Sequence, residues 1–96
     1  MELNGKQKRY LRALAHHRQV VVSIGQSGMT EAVMAEIEIA LGHHELIKIR
    51  LSDDDKSSRN KTANDICQKA NAVEVQHIGK TLSIYRAAQA AKITLP

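Results

Sequence analysis

The chain has 96 residues, 43% apolar and 25% charged, enough for one compact domain with its own core and for no more than one. With no Phe, no Trp and only Tyr10 and Tyr85, the core must be aliphatic, and a surface that stacks nucleobases on several aromatic rings is argued against. The net charge of +4 sits at one end: residues 1–18 carry Lys6, Lys8, Arg9, Arg12 and Arg18 against Glu2 alone, while the other 78 residues carry nine basic and nine acidic side chains.

Residues 5–17 predict a helix. Gln7, Tyr10, Leu11 and Leu14 recur at helical spacing as an apolar stripe, Asn4 is a suitable N-cap, and Lys8, Arg9 and Arg12 form a cationic ridge that no acid on the helix neutralises. Concentrated positive charge of this kind is the footprint of a polyanionic partner, although a solvated helix face shows it too. The β-branched run 19–24 predicts a strand ending at Gly25. After Gly25-Gln26-Ser27-Gly28, Thr30 is the N-cap of a second helix that is expected to run to Leu41 and stop at Gly42, burying Val33, Ile37, Ala40 and Leu41.

Residues 45–51 alternate, with Ile47, Ile49 and Leu51 on one face and Lys48 and Arg50 on the other, so this strand has one covered and one polar face. The acidic turn Asp53-Asp54-Asp55 leads to a third helix over 58–70, whose apolar positions are Ala63, Ile66, Cys67 and Ala70. Residues 73–78 and 81–86 form a hairpin through Gly79-Lys80, residues 87–92 are expected to add a helical turn, and 93–96 an extended tail. The order α-β-α-β-α-β-β implies an α/β fold, a mixed sheet with helices packed on it. Residues 1–96 make a single domain, with no repeat or linker.

The junction at Gly25–Gly28 carries the chemistry. Two glycines three apart let the backbone bend and leave no side chain in front of it, and the helix behind offers unpaired N–H groups and the positive end of its dipole. A phosphate fits there, held by main-chain donors and therefore without sequence specificity. A plain strand-to-helix turn has the same residues. The three-glycine dinucleotide fingerprint and the Gly-Lys-Ser/Thr of a P-loop are both missing.

Several blocks in order, KQKRYLRALAHH, VSIGQSGMTEAVMAEIEIAL, HELIKIRL, IGKTLSIYR and KITLP, resemble the YhbY-like family of CRM domains over nearly the whole chain. The resemblance implies a two-layer α/β sandwich with a mixed four-stranded sheet, similar to the C-terminal domain of translation initiation factor 3. It also implies RNA binding, association with precursors of the large ribosomal subunit, and an RNA-contacting loop at Gly25, Gln26, Ser27 and Gly28. Many members place Lys or Arg between the glycines. Gln26 and Ser27 here offer hydrogen bonds without charge, which shifts the electrostatic attraction onto Lys6, Lys8, Arg9, Arg12 and Arg18. Lys48, Arg50 and Arg86 project from strands and are further candidates for phosphate, or simply wet.

No other constellation competes. His16-His17 and His43-His44 are adjacent residues pointing about 100° apart on a helix, a poor chelate, and no recognised ligand spacing occurs. Asp53–Asp55 reads as a cap, with Lys56, Arg59 and Lys61 as a solvated helix start; Cys67 and His77 read as structural. A lone Cys excludes an intrachain disulfide and fits a reducing cytoplasm. No apolar run reaches membrane-spanning length, and the N-terminus does not read as a signal peptide. The expectation is a cytoplasmic, monomeric RNA-binding protein without cofactor, metal or catalytic activity, with DNA not an expected partner. The alternative is a ribosome-associated module whose basic helix meets an acidic protein.

Overall fold

In a computed structural model describing residues 2–96, the chain runs α1 (Gly5–His16), β1 (Val20–Ser23), α2 (Glu31–His44), β2 (Leu46–Arg50), α3 (Lys56–Ala70), β3 (Val73–Ile78) and β4 (Thr81–Tyr85). Each helix starts where a short polar side chain can take an amide left without an intrahelical partner. Asn4 accepts from the Gln7 N–H at 2.8 Å while Gln7 accepts from the Asn4 N–H at 3.1 Å, a reciprocal box. Thr30 accepts from Val33 at 3.2 Å, and Asp55 from Ser58 at 3.0 Å.

The four strands form one mixed sheet in the order β1-β2-β4-β3. β1 pairs with β2 in parallel, which the intervening α2 crossover permits, and the other two pairings are antiparallel. Period-two alternation then divides the apolar residues between two cores. Val22, Ile24, Ile47, Ile49, Leu51, Leu82 and Ile84 face α2 and α3 and bury Ile37, Leu41, Ala63, Ile66 and Ala70. The sheet with α2 and α3 makes the two layers expected of the sandwich. On the opposite face Leu46, Val75 and Tyr85 bury Leu11 and Ala15 of α1, with Ile93 and Leu95 of the C-terminal segment packed alongside. Each fully buried Leu or Ile contributes about 1.5–3 kcal/mol by leaving water.

Several boundaries differ from expectation. In α1 the buried positions are Leu11 and Ala15, and Tyr10 stays 39% exposed. Gly42 does not stop α2. Its cost inside a helix is only about 1 kcal/mol relative to Ala, and the helix continues to His44. The stop is Glu45, at φ 63°, which belongs to no strand. Its buried carboxylate accepts the N–H groups of Ala88 at 2.8 Å, Lys92 at 2.7 Å and Ile93 at 2.8 Å. Residues 87–92 therefore form no helical turn, because their amides are drawn to Glu45 instead of to one another. The third helix starts at Lys56, two residues earlier than expected, because Asp55 is its cap.

Candidate nucleic-acid interface

The Gly25–Gly28 segment closes as a tight turn. The Gly28 N–H donates to Gly25 O at 3.0 Å, and Gly28 sits at φ 72°, where a Cβ would be strained. Ser52 Oγ donates to the same Gly25 oxygen at 3.0 Å and ties the turn to the loop after β2. A Cβ added at Gly25 or Gly28 would meet nothing within 4 Å among the described residues, so the space beside both glycines is open. The Gly28 amide is committed within the turn, so a phosphate there would draw on the amides of Gln26 and Ser27.

The turn shares one end of the sheet with the Ser52–Asp55 loop and the β3–β4 hairpin, which enclose an open cleft of about 830 Å³. Arg50 and Lys80 line it, and so do the three aspartates. The acids are largely occupied. Asp53 accepts from Thr62 at 3.1 Å, Asp54 pairs with Lys80 at 3.2 Å, and the amide and hydroxyl of Ser58 hold the Asp55 carboxyl below its usual range. Capping, the role expected for this run, accounts for Asp55.

From this end the sheet leads toward α1. On β2, Leu46, Lys48 and Arg50 share the face that α1 partly covers. Leu46 lies under the helix, Lys48 is half-buried beside it, and Arg50 is exposed next to Ser23, just before the turn. Alternate residues on a strand stand about 7 Å apart, so Lys48 and Arg50 are stepping stones between α1 and Gly25–Gly28.

The structure uses the α1 cations unequally. Lys6 and Arg9 are exposed and Lys8 is half-buried. The Arg12 Nε–H donates to Val75 O at 3.2 Å, and Arg18 donates to Leu46 O at 3.1 Å, so both also fasten the N-terminal segment to the sheet. Arg86 does not join Lys48 and Arg50. Its guanidinium lies on the α2–α3 side, donating to Glu38 at 2.8 Å and to Ala70 O at 2.8 Å, and it closes the C-terminus of α3. Period-two alternation carried a sign of this, since Arg86 follows Leu82 and Ile84 at every second position and those two face α2 and α3.

Sequence reasoning missed four neighbours: Lys80 at the turn, and His16, Gln76 and Ser83 around Lys48. Only the antiparallel register, Lys48 with Ser83 and Ser83 with Gln76, brings the last two to Lys48. Burial, then the nearby charge of Glu74, pushes the Cys67 thiol up to about 11. Burial and then Glu45 raise Tyr85 as well. Among the described residues no three His, Cys, Asp or Glu side chains come together as a metal cage, and no helix is long and apolar enough to cross a membrane.

Fold and site together define an α/β domain with an open glycine turn at the end of a cation-bearing sheet. The chain belongs to the CRS1 / YhbY (CRM) domain family, whose pattern it matches over residues 3–86. It is similar to a Haemophilus influenzae protein named RNA-binding protein, with 47% identity over 98% of this chain and 95% of that one. It is also similar to the Bacillus subtilis protein named Probable RNA-binding protein YqeI, with 34% identity over 98% of this chain and 99% of the other. A Staphylococcus aureus protein known from its solution structure, a candidate RNA-binding protein by its own description, superposes with a TM-score of 0.85 at 34% identity, covering 99% of this chain and 100% of that one.

Proposed function

We propose that this protein is a monomeric cytoplasmic RNA-binding module that associates with large-subunit ribosomal RNA precursors and assists ribosome assembly, acting by binding rather than catalysis. The observation that carries this reading is the unobstructed Gly25–Gly28 turn, adjoined by Arg50 and continued through Lys48 to the exposed cations of α1. Main-chain amides take one phosphate and the cations take its neighbours, as the polyanion passes from the turn across the sheet to the helix. The names of the relatives support RNA as that polyanion, and the ribosomal setting is what the family resemblance implies. Gln26 and Ser27 add hydrogen bonds at the turn without charge, so most of the salt dependence comes from Lys6, Lys8, Arg9, Lys48 and Arg50.

Filter binding to a large-subunit ribosomal RNA transcript tests the reading. Gly25→Asp places a carboxylate in open space at a residue without a positive φ, so the domain stays folded. Its affinity should fall by about tenfold through lost amide contact and charge repulsion. Unchanged affinity would reject the turn as the seat. Cosedimentation with large-subunit precursors tests the ribosomal part. Retention on those particles after complete nuclease digestion would instead favour an acidic protein as the partner of α1.

A further inference from the structure

Between the C-terminal end of α1 and the uncovered half of the sheet lies a groove of about 220 Å³ lined by His16, Lys48, Gln76, Ile78, Thr81 and Ser83. Three strands build its floor in register: Lys48 on β2 stands opposite Ser83 on β4, which stands opposite Gln76 on β3. Thr81 and Ile78 form the next row toward the hairpin. Ser83 is only 2% exposed and lines the groove from its floor. Ile78, at 64% exposure, is an apolar side chain left in water on the same rim.

We infer that this groove is a subsite for one unpaired nucleotide of the bound RNA, a step that rests on the RNA-binding reading above. The lining matches the parts of a nucleotide. Ile78 meets the apolar face of a base or ribose, and the Gln76 amide and Ser83 and Thr81 hydroxyls both donate and accept toward polar edges. Lys48 meets the phosphate. Lys48 and Gln76 lie two strand spacings apart, about 10 Å, which admits a single nucleotide and not a duplex. A seat made of phosphate contacts alone would need neither the Gln76 amide, the two hydroxyls nor the apolar rim. The groove thus gives the protein a preference for single-stranded over paired RNA, which the turn cannot supply.

The test compares one RNA oligonucleotide, single-stranded and annealed to its complement, by fluorescence anisotropy at several salt concentrations. Wild type should prefer the single strand by about tenfold, the size expected of two or three neutral hydrogen bonds. Gln76→Ala with Ile78→Ser, both at solvent-accessible positions, should bring the two affinities within about twofold while leaving the salt slope unchanged. Ser83→Ala should move the same way, with thermal unfolding confirming the fold. Amide NMR shifts of Gln76, Thr81 and Ser83 on adding a nucleoside 5′-monophosphate give a readout without any variant, and their absence would count against the subsite. RNA binding with no strand preference, or a preference that the variants keep, would overturn the subsite alone. No binding to either form would overturn the RNA reading and this inference with it.

Discussion

The carboxylate of Glu45 accepts the Ile93 N–H at 2.8 Å across 48 residues of sequence, and so joins the end of α2 to the segment that follows β4. The Glu45 N–H donates to Leu41 O, and its carbonyl accepts from Arg86 N–H, both at 2.9 Å. These bonds hold a non-glycine residue at φ 63°, a conformation that costs about 1–3 kcal/mol. The arrangement also places Ile93 and Leu95 against the α1 core.

Glu45→Gln should therefore destabilise the domain by about 2 kcal/mol, because one carboxylate oxygen that accepts amides becomes a donor. Burial raises the Glu45 pKa, but the Ala88, Ile93 and Lys92 amides and the Lys92 charge outweigh it and hold the folded-state value below the ordinary 4.5. A depressed folded pKa contributes stability above the unfolded value, and that contribution is lost as pH falls through the folded one. Urea unfolding at pH 7 and at about pH 3 should show the gap between wild type and Glu45→Gln narrowing in acid.

Arg50 and Arg86, both candidates for phosphate on the sequence, should behave differently. Arg50→Ala and Lys48→Ala should each lower the salt slope of RNA binding by about one without changing stability much. Arg86→Ala should leave the slope alone and cost about 1–2 kcal/mol in unfolding, since it loses Glu38 and the Ala70 carbonyl. Salt titrations beside chemical unfolding separate the two outcomes.

Within α1, Lys6→Ala with Arg9→Ala should reduce the slope by about two, since both side chains are free of the sheet. Arg12→Ala should show a mixed effect. Its guanidinium also holds Val75 O on the edge strand β3, so part of any lost affinity will appear as lost stability in a melt.

Among the described residues the Nε2 of His77 is buried without a partner. An apolar replacement of similar size removes that penalty, so His77→Leu should be neutral or stabilising by about 1 kcal/mol in chemical unfolding.

Cys67 should react slowly with a disulfide reagent. With its pKa raised to about 11, about one thiol in a thousand is ionised at pH 8. Reaction should speed up in urea, when the thiol returns to water.

By itself the sequence determined the element order, the alternation of Ile47, Ile49, Lys48 and Arg50, the caps at Asn4 and Thr30, and the glycine turn. All of these depend on side chains within a few residues of one another, where backbone geometry sets the spacing. Family blocks in order extended that reading to the whole fold. Tertiary structure alone decided which distant groups meet: Ser83 and Gln76 beside Lys48, Lys80 beside the turn, and Glu38 as the partner of Arg86. It also decided that α2 runs through Gly42 to Glu45, because local propensity there is worth about 1 kcal/mol and a buried carboxylate taking three amides outweighs it. Those amides come from residues more than forty positions away. Local spacing cannot encode such a contact; only closure of the sheet brings the partners within reach.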